Sequence, residues 1–138
     1  MGDCRARSFI TIMVLIAVCS LFLRFGLEHL IKTSIRQNES GASTTLKLIS
    51  TALQNYAKDH QDIFPQNLET LTQSNPAYID KDYIKISPVK GYVYSCSRID
   101  ASGYNCVATP IACGITGNTV YTITTGGGFI SEKCNKKE

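Results

Sequence analysis

No Cys-x-x-Cys pair occurs in this 138-residue chain, and its only histidines, His29 and His60, are remote in sequence from the four cysteines of the last third. Zinc sites ordinarily draw on close ligand pairs, so no metal site is expected, and no cofactor motif is present. There is no run of five or six basic residues, and the formal net charge is only +3. An affinity built on many phosphate contacts is excluded on that ground, and no nucleic-acid partner is expected. A phosphate-binding Walker loop and a dinucleotide fingerprint are also missing. Gly126-Gly127-Gly128 follows a candidate strand but has no Lys-Ser/Thr after it, so it reads as a turn. Neither histidine has a serine or cysteine nucleophile motif beside it, and no paired carboxylates lie in an apolar setting. The expectation is a chain that is not an enzyme and has no catalytic residues.

What is present is concentrated at the N-terminus. The run Phe9 to Leu23, FITIMVLIAVCSLFL, carries no charge. As a helix at about 1.5 Å per residue it covers about 22 Å, somewhat short of a bilayer core of about 30 Å. Arg24 can snorkel, and Phe25 and Leu27 extend the apolar face beyond it. Arg5 and Arg7 precede the run and hold its N-terminus in the cytoplasm by the positive-inside rule. A cleaved secretory signal is the competing reading, because Ala17-Val18-Cys19 loosely fits a small-x-small site. The bulky Leu21, Phe22 and Leu23 follow at once, where a cleavage region turns polar, and Val18 obstructs a lipoprotein signal ending at Cys19. A retained single-pass membrane anchor is therefore expected, with the C-terminal domain outside the cytoplasm.

The chain has enough residues for one small domain, which gains from covalent staples. Cys4 and Cys19 lie in or beside the apolar run, whereas Cys96, Cys106, Cys113 and Cys134 lie far downstream. Disulfides place the domain in an oxidising compartment, and four cysteines allow three connectivities. Tyr92 to Ser97 and Tyr104 to Ala108 flank a turn at Asp100-Ala101-Ser102-Gly103. A hairpin centred on Ala101 sets Cys96 opposite Cys106, within reach of a bridge. Cys113 and Cys134 then pair by default, and a loop of about twenty residues closed this way gains around 3 kcal/mol in the chain-entropy model. Thr119 to Thr124 alternates like a half-buried strand, and Phe129-Ile130-Ser131 returns after the glycines.

Between anchor and strands the pattern is helical. Leu27, Leu30, Ile31 and Ile35 recur at helical spacing, and Leu46, Ile49, Leu53, Tyr56 and Ala57 form a second stripe. Asn38-Glu39-Ser40-Gly41 falls between them and marks Gly41 as a kink or weak point in a helix from about Phe9 to Asp59. Asn67 can cap a short helix over Leu68 to Leu71. Asp80 and Asp82 could ligate a cation, though two aspartates in an exposed turn are more often solvated. The fold class is α+β: a long N-terminal transmembrane and amphipathic helix packed on a small antiparallel sheet, stapled by disulfides.

Basic residues followed by Ser8-Phe9-Ile10-Thr11-Ile12 and an unbroken apolar helix resemble the start of type IV pilins and type II secretion pseudopilins. Phe64-Pro65-Gln66-Asn67-Leu68-Glu69-Thr70-Leu71 is similar to the aromatic-proline turn that follows the long helix in pseudopilin-like proteins. The resemblance implies a leader over 1–8, a transmembrane assembly helix over 9–30 in a bacterial inner membrane and an extracytoplasmic domain over 31–138. It implies a prepilin peptidase as partner, cutting between Ser8 and Phe9 and methylating Phe9, and other pilin-like subunits as assembly partners. The family's usual glycine before the cut is Ser8 here, and its usual glutamate at the fifth mature position is Met13. In the family that glutamate meets the N-terminal amine of a neighbouring subunit, and subunits without it sit at filament tips, so a minor or tip role is implied. The calcium site of the major secretion pseudopilins has only Asp100 to build on, so none is expected. The other function class in play is a single-span, membrane-anchored binding module that never polymerises.

Overall fold

The computed structural model describes the backbone of residues 3–135 and the side chains of residues 9–135. The leader 1–8, including the side chains of Cys4 and Ser8, lies outside the described side chains. A 57-residue helix, α1 (Asp3–Asp59), is followed by a short helix, α2 (Leu68–Gln73), and four strands, β1 (Tyr92–Asp100), β2 (Gly103–Pro110), β3 (Thr119–Thr124) and β4 (Gly128–Lys133). The strands form one antiparallel sheet in the order β1-β2-β3-β4, so every neighbour in sequence is a neighbour in space. This is an α+β fold. The chain divides into two compact units between Ser34 and Ile35.

The first proline of the chain is Pro65, so nothing in α1 removes a ladder donor or clashes with the preceding turn. The helix also runs through Gly41 without a break, contrary to the kink expected there. The reason lies in tertiary contacts that the expectation ignored. Asn38 Nδ2 donates to the Thr116 carbonyl at 3.0 Å, and Glu39 Oε1 accepts the Asn118 N–H at 2.8 Å. Polar residues that weaken an isolated helix are here occupied by partners 78 and 79 residues away, which offsets their low propensity. The helix ends as expected at Asp59. The Asp62 N–H reaches back to the Ala57 carbonyl at 2.8 Å, with Gln61 left-handed at φ 57°, the pattern of a Schellman cap built without glycine.

In the second unit, Ala42, Leu46, Ile49, Leu53 and Ala57 are buried at spacings of three and four along α1. They meet Tyr92, Tyr94, Tyr104, Cys106, Ala108 and Ile123 of the sheet, and Leu68, Leu71, Ile79 and Tyr83 close the end of the core. Each fully buried leucine or isoleucine contributes about 1.5–3 kcal/mol of transfer free energy. The tyrosines bring hydroxyls into this core, and these find partners. Tyr104 Oη shares a hydrogen bond with Ser50 Oγ at 2.7 Å and accepts from Gln54 Nε2 at 3.2 Å. Asn67 caps α2 as expected, its Oδ1 accepting the Thr70 N–H at 2.9 Å.

The β1–β2 hairpin differs from the expected geometry in one instructive respect. Asp100 pairs with Gly103, so the loop is the two-residue Ala101-Ser102 and not a turn centred on Ala101. Continued unbroken, that register would set Cys96 opposite Val107. A bulge between Cys96 and Arg98 shifts it by one residue, and Cys96 then faces Cys106. The two are bridged, with Cα atoms 3.9 Å apart.

Candidate functional site

Three regions carry the residues that the sequence singles out. The first is the N-terminal stretch of α1. Phe9 is 64% exposed and Met13 57%, and every large hydrophobic residue from Phe9 to Ile31 is exposed in the same way. This is the one helix among the described residues long and apolar enough to cross a membrane, which is compatible with single-pass anchoring. Phe25, Leu27, Leu30 and Ile31 continue the apolar surface past Arg24. Such an exposed apolar surface is larger than soluble monomers ordinarily leave uncovered. The Ser8–Phe9 junction lies inside α1 and not in an extended segment. Cys19, in the middle of the run, is a free and exposed thiol.

The second region is the loop closed by the Cys113–Cys134 bridge, whose Cα atoms are 5.9 Å apart. Its polypeptide is held at several points in addition to the disulfide. Tyr92 Oη donates to the Thr119 carbonyl at 2.8 Å, and burial pushes that phenol well above its ordinary range. Glu39 Oε1 accepts from Asn118 N at 2.8 Å and from Thr119 Oγ1 at 3.2 Å. Cys134 N donates to the Asn118 carbonyl at 2.9 Å, which ties the end of the chain to the start of β3. Gly117 sits against the ring of Tyr92, where a side chain would collide with the aromatic carbons. Sequence reasoning identified the four cysteines but missed Asn38 and Glu39 as the residues that anchor this loop. The available signal was their position between two apolar stripes, where polar side chains must either face solvent or bond to something distant.

The third region is the outer edge of the sheet. Every residue of β4 is exposed, and Phe129 stacks on Tyr121 with ring centroids 5.6 Å apart, while Lys47 Nζ lies 5.0 Å from the Phe129 centroid. The adjacent Ile130 is 52% exposed. β4 pairs with β3 on one side, and no strand among the described residues pairs with its other side.

No protein-family model matches this sequence, and no curated protein matches it either.

The remaining candidates are used locally. Asp80 accepts from the Tyr83 hydroxyl at 3.1 Å and pairs with Lys81, and Asp82 Oδ1 accepts the N–H groups of Ile84 and Lys85. Among the described residues no group of three or more histidine, cysteine or carboxylate side chains could hold a metal ion. His60 stacks on Tyr56 at 3.9 Å with its Nδ1 on the Tyr56 carbonyl, so its ring serves the end of α1. Asp100 accepts from the hydroxyl and the N–H of Ser102, and these bonds hold its carboxyl below the usual value.

Proposed function

We propose that this chain is a non-catalytic, pilin-like or pseudopilin subunit, of minor or tip type, in a type IV pilus or type II secretion filament. The observation that supports it most is the run of exposed large hydrophobic side chains from Phe9 to Ile31, uncharged as far as Leu23, on a chain whose second unit is a disulfide-stapled α+β domain. Such a chain has two jobs to divide: a helix that finds apolar neighbours and a folded head that offers a surface. In this reading the helix first rests in the inner membrane and then packs among the helices of other pilin-like subunits. The prepilin peptidase removes residues 1–8 after Ser8 and methylates Phe9. Met13 cannot ion-pair with a neighbour's N-terminal amine, and an unpaired carboxylate at that depth would be costly, which suits a subunit with no neighbour to satisfy on one side. The loop from Cys113 to Cys134 and the β4 edge are the exposed features of the head.

Intact mass of the protein taken from its native membrane tests the reading. The expected species begins at methylated Phe9 and gains the hydrogens of two reduced disulfides on treatment with a reductant. A species that keeps residues 1–8 overturns processing and leaves the anchored, non-polymerising binding module as the better account. Cleavage after Cys19 overturns both and describes a released domain.

A further inference from the structure

The helix face next to the sheet's first strand carries an open cleft of about 810 Å³ whose charged lining is two cations, Arg36 and Lys90. Ser40 and Thr44 lie on the same wall, at helical spacings of four from Arg36, and supply hydroxyls. No carboxylate lines the cleft, and neither Arg36 nor Lys90 belongs to any of the ion pairs among the described residues. Two unneutralised cations facing one hollow beside free hydroxyls form a phosphate-binding set, since phosphate oxygens accept from all four groups.

The backbone is shaped to bring Lys90 there. Lys90 is left-handed at φ 47°, an uncommon state for a residue with a side chain, and Gly91 follows at φ 78°. A Cβ on Gly91 would lie 2.9 Å from Thr116 Cβ and 3.1 Å from Asn38 Nδ2, so only glycine lets this loop approach the helix so closely. The Lys90 stem then lies over Gly41, with its Cδ 3.7 Å from where a Cβ would stand. Gly41, which reads in sequence as a weak point of the helix, lies beneath this stem, and a Cβ there would make only ordinary van der Waals contact with it.

The position of Arg36 in the chain names the source of the phosphate. The uncharged run ends at Leu23, exposed apolar side chains continue among Arg24, Glu28 and His29 as far as Ile31, and Arg36 follows the last of them by five residues (36 − 31). Five residues reach at most about 18 Å however they are arranged. The headgroup layer of a bilayer begins where the apolar core ends, so the cleft's arginine is confined to its neighbourhood. We propose that the Arg36–Lys90 cleft binds the phosphate of an anionic phospholipid headgroup and so holds the domain down on the membrane surface. This rests on the membrane-anchored reading of residues 9–31.

The test uses the full chain in nanodiscs made of equal parts phosphatidylcholine and phosphatidylglycerol, with the retained lipids counted by native mass spectrometry. Wild type is expected to retain phosphatidylglycerol in preference to phosphatidylcholine. Lys32→Gln, outside the cleft, is expected to cut that preference about fivefold at most, the general loss for one cation removed at a bilayer surface, whereas Arg36→Gln and Lys90→Gln are each expected to cut it by clearly more. Both cleft side chains are exposed, so the variants are expected to melt with wild type. Insertion without lipid preference, or an equal loss in Lys32→Gln, overturns the proposal and leaves a general charge effect. A chain that does not enter the discs overturns the anchored reading first and this one with it. Inorganic phosphate titrated into phosphatidylcholine-only discs separates the sources: it is expected to leave the Lys90 and Gly91 amide resonances in place, and saturable shifts there would assign the cleft to a soluble phosphate.

Discussion

Residues 9–31 and residues 35–59 belong to the same helix, yet they satisfy different surroundings. The first stretch leaves every one of its large hydrophobic residues exposed and carries charges only at Arg24 and Glu28. The second buries one stripe, Ala42 to Ala57, and leaves Lys47, Thr51 and Asn55 in water. Hydrogen bonding is the same along both, so the backbone does not distinguish them. The difference is in what each face must touch: the second stretch finds its apolar partners inside the chain, whereas the first has to find them outside it. One element of secondary structure thus presents two kinds of surface.

The sharpest way to break this comparison is to remove the same side chain from each half. Leu53 is fully buried against the sheet, so Leu53→Ala is expected to cost about 2–5 kcal/mol through lost transfer energy and a cavity. Leu15 is 60% exposed, and Leu15→Ala is expected to leave the domain's unfolding midpoint where it was. Urea titration of the full chain in detergent, followed by tyrosine near-ultraviolet dichroism, reads only the second unit. A comparable loss from Leu15→Ala would mean that the two stretches are not independent in stability.

Cysteines permit the next comparison. Replacing Cys113 and Cys134 together by serine opens a 21-residue separation and is expected to cost around 3 kcal/mol in the chain-entropy model. Cys19→Ser, at a free thiol in the apolar stretch, is expected to change nothing in the same urea titration. A loss well under 1 kcal/mol for the double variant would show that the Glu39, Tyr92 and Asn118 hydrogen bonds suffice to hold the loop.

The legible parts of this molecule were those fixed by periodicity and by local chemistry. The Leu46-Ile49-Leu53 stripe, the Asn67 cap, the end of α1 at Asp59 and the antiparallel hairpin all follow from residues close together in sequence. The Cys96–Cys106 opposition was reached through a turn centred on Ala101, but the structure achieves it with a two-residue loop and a bulge. Loop length and bulge cancel in the register, so the sequence could not distinguish them. Gly41 was misread because a glycine's cost in a helix is local, whereas the contacts beside it that accompany the unbroken helix, from Asn38 and Glu39, reach 78 and 79 residues away. The same blindness hid Glu39 and the cleft: long-range polar contacts leave no periodic trace.

Glu39 gives a smaller test that separates loop from core. Its carboxylate is only partly buried, so solvent screens the two hydrogen bonds and Glu39→Ala is expected to cost about 1 kcal/mol. The loss is expected to concentrate in the loop. Amide hydrogen exchange at Asn118 and Thr119 should quicken while Ile49 and Leu53, on the same helix, keep their protection. Uniform quickening across the second unit would mean that the loop and core open as one.

The smallest effect lies at the far end of the sheet, where Asp100 holds the β1–β2 turn by accepting from the Ser102 hydroxyl and N–H. Those bonds, more than the nearby Arg98, hold its carboxyl below the ordinary 3.8. A carboxyl depressed on folding contributes stability above its unfolded value and loses it as pH falls through the folded one. The window therefore lies below 3.8, and the turn is intact at neutral pH. Because the group is open to solvent, the change is expected to stay local: the Ser102 amide resonance should titrate with a midpoint under 3.8, with no accompanying loss of the tyrosine signal from the core. In Asp100→Asn the same resonance should stay flat over that range. A midpoint at or above 3.8 would mean that Ser102 does not favour the charged form in solution. A core signal moving with it would mean that this turn, and not only the buried stripe on α1, governs whether the domain stays folded.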